Sequence, residues 1–148
     1  RSTLFPYTTL FRSPAGRKQF AFLVMQDPNY QLFSDSVVGE MALTASGEIP
    51  KSEDVQRILS FLELTSVRDR HPLSLSGGQK QRLCIALAAL SPAQILFFDE
   101  PTSGLDFENM NRVTNVLREL SKKKTIIVIS HDNEFLNLAC TRIVSLSK

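Results

Sequence analysis

Two adjacent carboxylates, Asp99 and Glu100, lie directly after the apolar run from Ile95 to Phe98. Such a run is typical of a strand that is buried on both faces, as in a parallel sheet. Carboxylates at the end of a buried strand are costly unless a cation or a reacting proton is bound there. The pair therefore predicts a site in which Asp99 holds Mg²⁺, directly or through water, and Glu100 is the general base that polarises an attacking water.

A second group of residues, Ser76-Gly77-Gly78-Gln79, is suited to binding an anion. Ser76 and Gln79 have the S-x-x-Q spacing of a capping box, which predicts the start of a helix. The two glycines leave the backbone amides of this helix start uncovered, and bare amides with a helix dipole behind them favour phosphate. Taken alone, the four residues are equally compatible with an ordinary capped helix.

Two further polar residues follow predicted strands. His131 comes after the β-branched run Thr125–Ile129, at the strand end where open α/β sheets place ligand chemistry. Gln26 ends the apolar stretch that begins at Phe20, and Asp27-Pro28-Asn29 then predicts a turn. A lone histidine is usually structural, and a lone glutamine is usually a loop residue, so position at a strand end is what favours function for both.

The order of these motifs resembles that of the ATP-binding cassette (ABC) ATPases from about Phe20 to the C-terminus. L-S-G-G-Q is followed by an apolar strand, then D-E-P-T, then S-G-L-D. In the family, these are the signature motif, the Walker B motif and the D-loop. The resemblance implies ATP and Mg²⁺ as ligands and a Q-loop glutamine, Gln26, that contacts Mg²⁺ or the attacking water. It also implies that His131 is the H-loop histidine, which contacts the γ-phosphate.

The resemblance also implies a dimer of ATPase subunits, identical or different. Each ATP is sandwiched between the Walker B, Q-loop and H-loop residues of one subunit and the signature residues Ser76, Gly77, Gly78 and Gln79 of the other. The D-loop, Ser103-Gly104-Leu105-Asp106, crosses the seam between the subunits. Asp106 is in addition predicted to be the N-cap of the helix that follows it.

The segment QDPNYQLFSDSVVGEM resembles, within the family, the ATPases of energy-coupling-factor importers, which take up vitamins and transition-metal ions. In the family this surface docks a coupling helix of a transmembrane subunit, which implies a peripheral protein on the cytoplasmic face of the membrane. Tyr30, Leu32 and Phe33 are expected to be exposed there beside a helix N-cap at Ser34 or Asp35, although they are also compatible with a core. The alternatives are a soluble ABC protein of translation or repair, and a non-catalytic fragment.

Several family elements are missing from the sequence, which lacks the N-terminal β region and the phosphate loop, or Walker A motif, G-x-x-x-x-G-K-[ST]. We therefore expect a truncated ABC domain that is inactive by itself. Arg1–Ser13 has no structural period, and its codons can be written in frame as a string resembling a common short-read sequencing adapter. We predict that these residues are foreign and that a partial ABC domain occupies residues 14–148.

The predicted fold class is α/β: a phosphate-loop NTPase of ABC type with a parallel sheet core and a helical signature subdomain. The core is assigned to residues 14–30 and 91–148, and the helical subdomain to residues 31–90. Within it, Ser52 opens an amphipathic helix, and the helix after Gly78 is expected to bury one apolar stripe. The sequence further predicts that Asp132 caps a short helix and that Ile143–Leu146 adds a last strand. The apolar stripe expected on the helix after Gly78 consists of Leu83, Ala86, Leu87 and Leu90.

Composition sets broad limits on the function. The chain has 148 residues, of which 43% are hydrophobic and 22% charged, and these are ordinary values for a globular domain. A net charge of +2 gives no support to nucleic acid as a partner. Cys84 and Cys140 lack metal-ligand spacing and are expected to be reduced structural thiols. No apolar run approaches the ~20 residues that a membrane helix needs.

Overall fold

The computed structural model describes residues 20–45 and 52–145, so Arg1–Ser13 and its predicted origin lie outside the described residues. The described chain forms three strands and five α-helices, with short 3₁₀ turns between some of them. In chain order these are β1 (Ala21–Val24), α1 (Val37–Thr44), α2 (Ser52–Phe61), α3 (Gly77–Leu90), β2 (Ile95–Asp99), α4 (Phe107–Ser121), β3 (Thr125–Ile129) and α5 (Asn133–Ala139).

The strands form a parallel sheet in the order β1-β2-β3. The register aligns Val24 with Phe98, and Phe98 with Val128. Parallel neighbours require a crossover connection, which α1 to α3 provide between β1 and β2 and which α4 provides between β2 and β3. The carboxyl ends of all three strands therefore meet at one edge of the sheet. This is the predicted α/β class; the division into residues 14–30 with 91–148 and residues 31–90 stays a prediction.

The core lies on one face of the sheet. Val24, Leu96 and Phe98 are fully buried there, against a core that includes residues of α3 and α4. Every residue of α3 from Gln81 to Ala88 is buried. The expectation of a single apolar stripe on α3 is therefore wrong, because α3 lies inside the molecule with the sheet on one side and α1 and α4 on others.

The opposite face of the sheet is largely uncovered among the described residues. Leu23 and Ile127 lie on either side of Phe97 in the same row, and their side chains are 48% and 41% exposed. Farther along β3, Ile129 is 61% exposed. The expectation that the strands are buried on both faces is wrong for this part of the chain, because α3 and α4 cover only one face.

The start of α1 differs from its prediction. Ser36, rather than Ser34 or Asp35, is the N-cap, and its hydroxyl accepts a hydrogen bond from the Gly39 N–H at 3.0 Å. The reason is Glu40, a buried carboxylate whose Oε1 accepts from the backbone N–H groups of Phe33 and Ser34. These two residues are thereby held in the loop before the helix.

The three apolar residues before α1 do not share one environment. Tyr30 and Phe33 are 69% and 79% exposed, as expected, whereas Leu32 is only 4% exposed and belongs to the core.

At the other end of the chain, Ile143 and Val144 are exposed and pair with no strand in the described part of the chain. The predicted last strand is therefore wrong as far as residue 145, because a segment without a neighbouring strand gains no ladder hydrogen bonds.

Several predictions about helices are confirmed. α2 begins at Ser52 and buries Val55 and Leu59, with Leu62 buried directly after the helix.

Both cysteines are free thiols, and burial, followed by the negative charge of Glu40, raises the pKa of Cys84 to about 12. A thiol with such a pKa is unreactive near neutral pH, which agrees with a structural role.

Candidate functional site

The ends of β2 and β3 bring Glu100, Ser130 and His131 together. Asp99 is aligned with Ile129 in the sheet, and the backbone N–H of Glu100 donates to the Ile129 carbonyl at 2.9 Å. The next residue of each strand therefore leaves the sheet at the same edge. Glu100 and His131 are 31 residues apart in sequence, and the parallel register makes them neighbours.

Both oxygens of the Glu100 carboxylate are engaged. Oε2 accepts a hydrogen bond from the Ser130 hydroxyl at 2.9 Å. Oε1 accepts from the backbone N–H of His131 at 3.0 Å and lies 2.7 Å from His131 Nδ1. The Glu100 side chain is 15% exposed, whereas the His131 ring is 88% exposed. The carboxylate is thus fixed within the cluster, and the imidazole extends into solvent.

The two groups shift each other's ionisation. Burial is the largest influence on Glu100 and raises the pKa of its carboxyl, but the hydrogen bonds from His131 and Ser130 together outweigh it, and the pKa is lowered overall. The hydrogen bond to Glu100, followed by the negative charge of that carboxylate, raises the pKa of His131. Each partner therefore favours the charged form of the other.

Backbone conformation at Glu100 directs its side chain towards β3. Its φ is +47°, in the left-handed region that costs a non-glycine residue about 1–3 kcal/mol. The Glu100 carbonyl accepts from the Ser103 N–H at 3.1 Å, which makes a tight turn directly after β2. Such strain is typical of functional positions, where surrounding contacts compensate for it.

Asp99 and Gln26 are available as ligands for a cation. Asp99 is the last residue of β2, and Gln26 lies two residues beyond Val24, the partner of Phe98 on β2. Within residues 20–45 and 52–145, neither side chain makes a hydrogen bond or an ion pair. No cluster of three or more His, Cys, Asp or Glu that could hold a metal occurs among the described residues. One carboxylate and one amide nonetheless fit Mg²⁺, which completes its coordination with waters and substrate phosphates.

The predicted anion site at the start of α3 has the expected local structure. Ser76 is the N-cap, and its hydroxyl accepts from the Gln79 N–H at 3.3 Å while the Gln79 side chain accepts from the Ser76 N–H at 3.0 Å. The capping box is therefore confirmed. A Cβ added at Gly77 meets nothing within 4 Å, so the space on the side where a side chain would stand is open.

The D-loop residues lie beside the start of α3. Leu105 approaches Gly78, where an added Cβ would be 3.4 Å from Leu105 Cδ2. Gly104 has a φ of +73°, which a glycine adopts without steric cost. Asp106 is the N-cap of α4, as predicted, and its carboxylate accepts from the Asn109 N–H at 2.8 Å. Ser103 is exposed in the turn before Gly104.

The structure thus forms two separate groups of predicted site residues. Glu100, His131, Asp99 and Gln26 share one edge of the sheet, and the signature residues lie with the D-loop. In the described part of the chain, no hydrogen bond or ion pair joins the Ser76–Gln79 group to Glu100 or His131. Sequence analysis missed Ser130, although its position between a strand end and His131 was a usable signal.

No helix among residues 20–45 and 52–145 has the length and apolar character needed to span a membrane.

Comparison with known proteins places these motifs in a family. The family model for the ABC transporter matches residues 7–103. A putative ABC transporter ATP-binding protein of Treponema denticola is 46% identical over 132 residues, which are 88% of this chain and 27% of that protein. Another, from Methanosarcina acetivorans, is 35% identical over 96% of this chain and 51% of its own length. The chain thus spans between about a quarter and a half of these relatives.

Solved structures agree with the fold. The cbiO1 protein of Clostridium perfringens, part of the ABC transporter complex cbiONQ, superposes with a TM-score of 0.68 at 31% identity. That match covers 86% of this chain and 55% of cbiO1. The RNase-L Inhibitor superposes with a TM-score of 0.64 at 26% identity, over 79% of this chain and 23% of its own. The family model, the relatives and the parallel sheet agree that this chain belongs to the ABC transporter family, with the fold of its ATP-binding domain.

Proposed function

We propose that this chain is part of the ATP-hydrolysing subunit of an ABC importer of the energy-coupling-factor type. The observation that carries the proposal is the cluster at the sheet edge, where Glu100 accepts hydrogen bonds from Ser130 and His131. The hydrogen bonds lower the pKa of the Glu100 carboxyl, so that it is ionised near neutral pH and able to accept a proton.

The roles of the individual residues follow from their positions. Glu100 takes a proton from the attacking water, and His131, largely exposed beside it, contacts the γ-phosphate of ATP. Asp99 and Gln26 would hold Mg²⁺, which neutralises charge on the phosphate oxygens when it is bound with ATP. These 148 residues contain no G-x-x-x-x-G-K-[ST] loop to bind the rest of the triphosphate.

The second half of each ATP site comes from a second ATPase subunit, identical or different. The open space at Gly77 supports this arrangement, because no side chain there keeps a phosphate that another subunit holds away from the helix start. Leu105 lies next to Gly78, so the D-loop is in position to approach the same ATP as the signature residues. ATP binding would thereby bring the two subunits together.

Two observations support the importer type. The segment QDPNYQLFSDSVVGEM resembles the energy-coupling-factor ATPases, and the similar cbiO1 protein is part of a transporter complex. Tyr30 and Phe33 are exposed on that segment, as a docking surface for a transmembrane coupling subunit requires. Such a protein is peripheral on the cytoplasmic face of the membrane, and its cargo is a vitamin or a metal ion.

The likeness to the RNase-L Inhibitor supports a second candidate, a soluble ABC ATPase of translation or repair that has no membrane partner. Purification of the tagged full-length protein from detergent-solubilised membranes separates the two. Recovery of a stoichiometric membrane protein supports the importer. Recovery from the soluble fraction alone supports the second candidate. The third alternative, a non-catalytic fragment, is tested by the ATP turnover of the 148-residue chain itself.

The test of the catalytic assignment is Glu100→Gln in the full-length protein. Glutamine keeps the shape and the acceptor oxygen but cannot take a proton, so hydrolysis is expected to slow by on the order of 10² or more while ATP still binds. Asp99→Asn should instead weaken Mg²⁺-dependent ATP binding. Phosphate release and nucleotide binding are measured for both variants. Hydrolysis at the parent's rate in Glu100→Gln would show that the base is another residue.

A further inference from the structure

The side chain of Gln31 lies along the edge of β1 that pairs with no strand among residues 20–45 and 52–145. Its Oε1 accepts a hydrogen bond from the Met25 N–H at 2.7 Å, and its Nε2 donates to the Leu23 carbonyl. Residues two apart in a strand direct their backbone groups to the same side, and β1 pairs with β2 through its other side. One donor and one acceptor at this spacing are what a neighbouring strand would offer. Gln31 therefore takes the place of a strand at this edge.

These two hydrogen bonds close the loop that carries Gln26. At the far end of the loop, the Gln31 N–H donates to the Pro28 carbonyl at 3.0 Å, and Leu32 is buried directly after it. Within the loop, Asp27 Oδ1 accepts from the Asn29 N–H at 2.9 Å. The loop is thus fastened to the strand from which it leaves.

The loop is also tied to the signature helix. Lys80 Nζ, in the first turn of α3, donates to Asn29 Oδ1 at 2.8 Å. Gln26 itself is exposed, and its side chain makes no hydrogen bond among the described residues. The place of Gln26 is therefore set by the backbone around it, and the Gln31 side chain holds that backbone on the strand side of Gln26, at Leu23 and Met25.

We propose that Gln31 is a positioning residue for Gln26, which it holds at the sheet edge beside Asp99 and Glu100. The proposal rests on the role given to Gln26 under the proposed function. The simpler alternative is that Gln31 only protects the edge of β1 from pairing with other strands. In that case its loss would reduce the amount of folded protein without changing the activity of the molecules that fold.

A double-mutant cycle in the full-length ATPase distinguishes these roles. The variants are Gln26→Ala, Gln31→Met and the two combined, and methionine keeps the length of the glutamine side chain without its hydrogen bonds. Gln94→Met makes the same change at an exposed glutamine directly before β2, at the opposite end of the sheet, and is the matched control. The kcat, the KM for ATP, the Mg²⁺ dependence and the melting temperature are measured for each.

We expect Gln26→Ala and Gln31→Met each to lower kcat by roughly tenfold or more, because small displacements of a positioned group are costly to catalysis. Both variants should also need more Mg²⁺ for half-maximal activity, because Gln26 is proposed to hold Mg²⁺ together with Asp99. Gln94→Met should behave as the parent. The double variant should be no slower than Gln26→Ala, because Gln31 acts through Gln26. A second readout is the exchange of the Met25 amide hydrogen, which should be faster in Gln31→Met.

Other outcomes would overturn specific parts of the proposal. If Gln26→Ala is impaired and Gln31→Met has the parent's kcat, the positioning role is wrong although the proposed function stands. The positioning role is also wrong if the decrease in kcat of the double variant equals the product of the two single decreases, because the two residues would then act independently. An unchanged rate of Met25 amide exchange in Gln31→Met would show that the hydrogen bond between the Met25 N–H and Gln31 is not formed in solution, and the positioning role would be wrong. If Gln26→Ala hydrolyses ATP at the parent's rate, the role of Gln26 is lost, and the positioning role of Gln31 is lost with it.

Discussion

At the residue scale, the Glu100 carboxylate has three hydrogen-bond partners in the two residues that follow β3. These are the Ser130 hydroxyl, the His131 N–H and the His131 ring. The Ser130 hydroxyl has a second contact, since it accepts from the Asp132 N–H at 3.1 Å. Ser130 therefore links the carboxylate to the start of α5, where Asp132 is the N-cap. Ser130, His131 and Asp132 thus follow the end of a strand, hold Glu100 and cap a helix. Several independent contacts therefore fix their geometry.

Ionisation of the cluster gives a first prediction. The pKa of His131 is raised by Glu100, so Glu100→Gln should lower the pKa of His131 towards its ordinary value of about 6.5. The chain has only two histidines, and titration of their ring resonances by NMR measures this directly, with His71 as the reference signal. An unchanged His131 titration in the variant would show that the two side chains do not interact in solution.

The same shifts predict how stability depends on pH. His131, whose pKa is raised on folding, contributes below its ordinary pKa, and this contribution is lost as pH rises through the folded value. Glu100, whose pKa is lowered, contributes above its ordinary value, and this contribution is lost as pH falls through the folded one. The unfolding free energy of the parent relative to Glu100→Gln should therefore be largest between about pH 4.3 and 6.5.

At the element scale, the start of α3 allows binding to be separated from folding. An added Cβ at Gly77 has open space, so Gly77→Ala should change the unfolding free energy by no more than about 0.5 kcal/mol. If a phosphate of the partner's ATP binds there, the methyl group should weaken ATP-driven dimerisation roughly 10- to 100-fold, equivalent to one charge-assisted hydrogen bond.

The contrasting variant is Ser76→Ala, which removes the N-cap and should cost about 1 kcal/mol of stability. Dimerisation is measured by size-exclusion chromatography of the full-length protein in the Glu100→Gln background, where ATP is not consumed. If Gly77→Ala dimerises with ATP as tightly as the parent, the Gly77 amide does not face the nucleotide.

Features that depend on local sequence could be predicted. The caps at Ser76, Asp106 and Asp132 follow from side-chain oxygens a few residues before an apolar pattern, and all three are confirmed. The N-cap of α1 could not be placed, because the position of Ser34 depends on a carboxylate six residues away, at Glu40. Ser130 was missed since its hydroxyl partner, Glu100, is 30 residues away.

Burial on both faces of the strands was predicted incorrectly because it depends on what packs against the sheet from elsewhere. Leu23 and Val24 are neighbours in β1 on opposite faces, with 48% and 0% exposure. In the 148-residue chain, Leu23→Thr should raise the soluble fraction with little change in stability, whereas Val24→Thr should cost about 1–3 kcal/mol by burying a hydroxyl.

The same pair tests whether the full-length protein covers the exposed face. If a segment of the full-length protein outside these 148 residues packs there, Leu23→Thr should destabilise the full-length protein. Denaturant unfolding of both variants in both proteins gives the comparison. Equal tolerance of Leu23→Thr in the two proteins would show that this face stays uncovered.

At the scale of the whole molecule, the described chain contains both kinds of half-site but only one of them is complete. The signature residues have their capping box and open glycine. The catalytic edge has Asp99, Glu100, Gln26 and His131, but the sequence has no G-x-x-x-x-G-K-[ST] loop to bind the triphosphate. Two copies of these 148 residues could therefore supply signatures to each other without either holding ATP firmly.

We accordingly predict that the 148-residue chain shows no appreciable ATP turnover by itself. The triphosphate needs a nest of backbone amides and a lysine that reaches its β- and γ-phosphates, and a phosphate loop supplies both. Without them, Asp99 and Glu100 add negative charge where the phosphates must bind. The dipole at the start of α3 compensates weakly, because a helix terminus is worth only about 0.3–1 kcal/mol at an exposed site. Phosphate release is measured with purified chain, Mg²⁺ and ATP, with Glu100→Gln as the control. Turnover that this substitution abolishes would prove the prediction wrong, since it would show that catalysis at this edge proceeds without the loop.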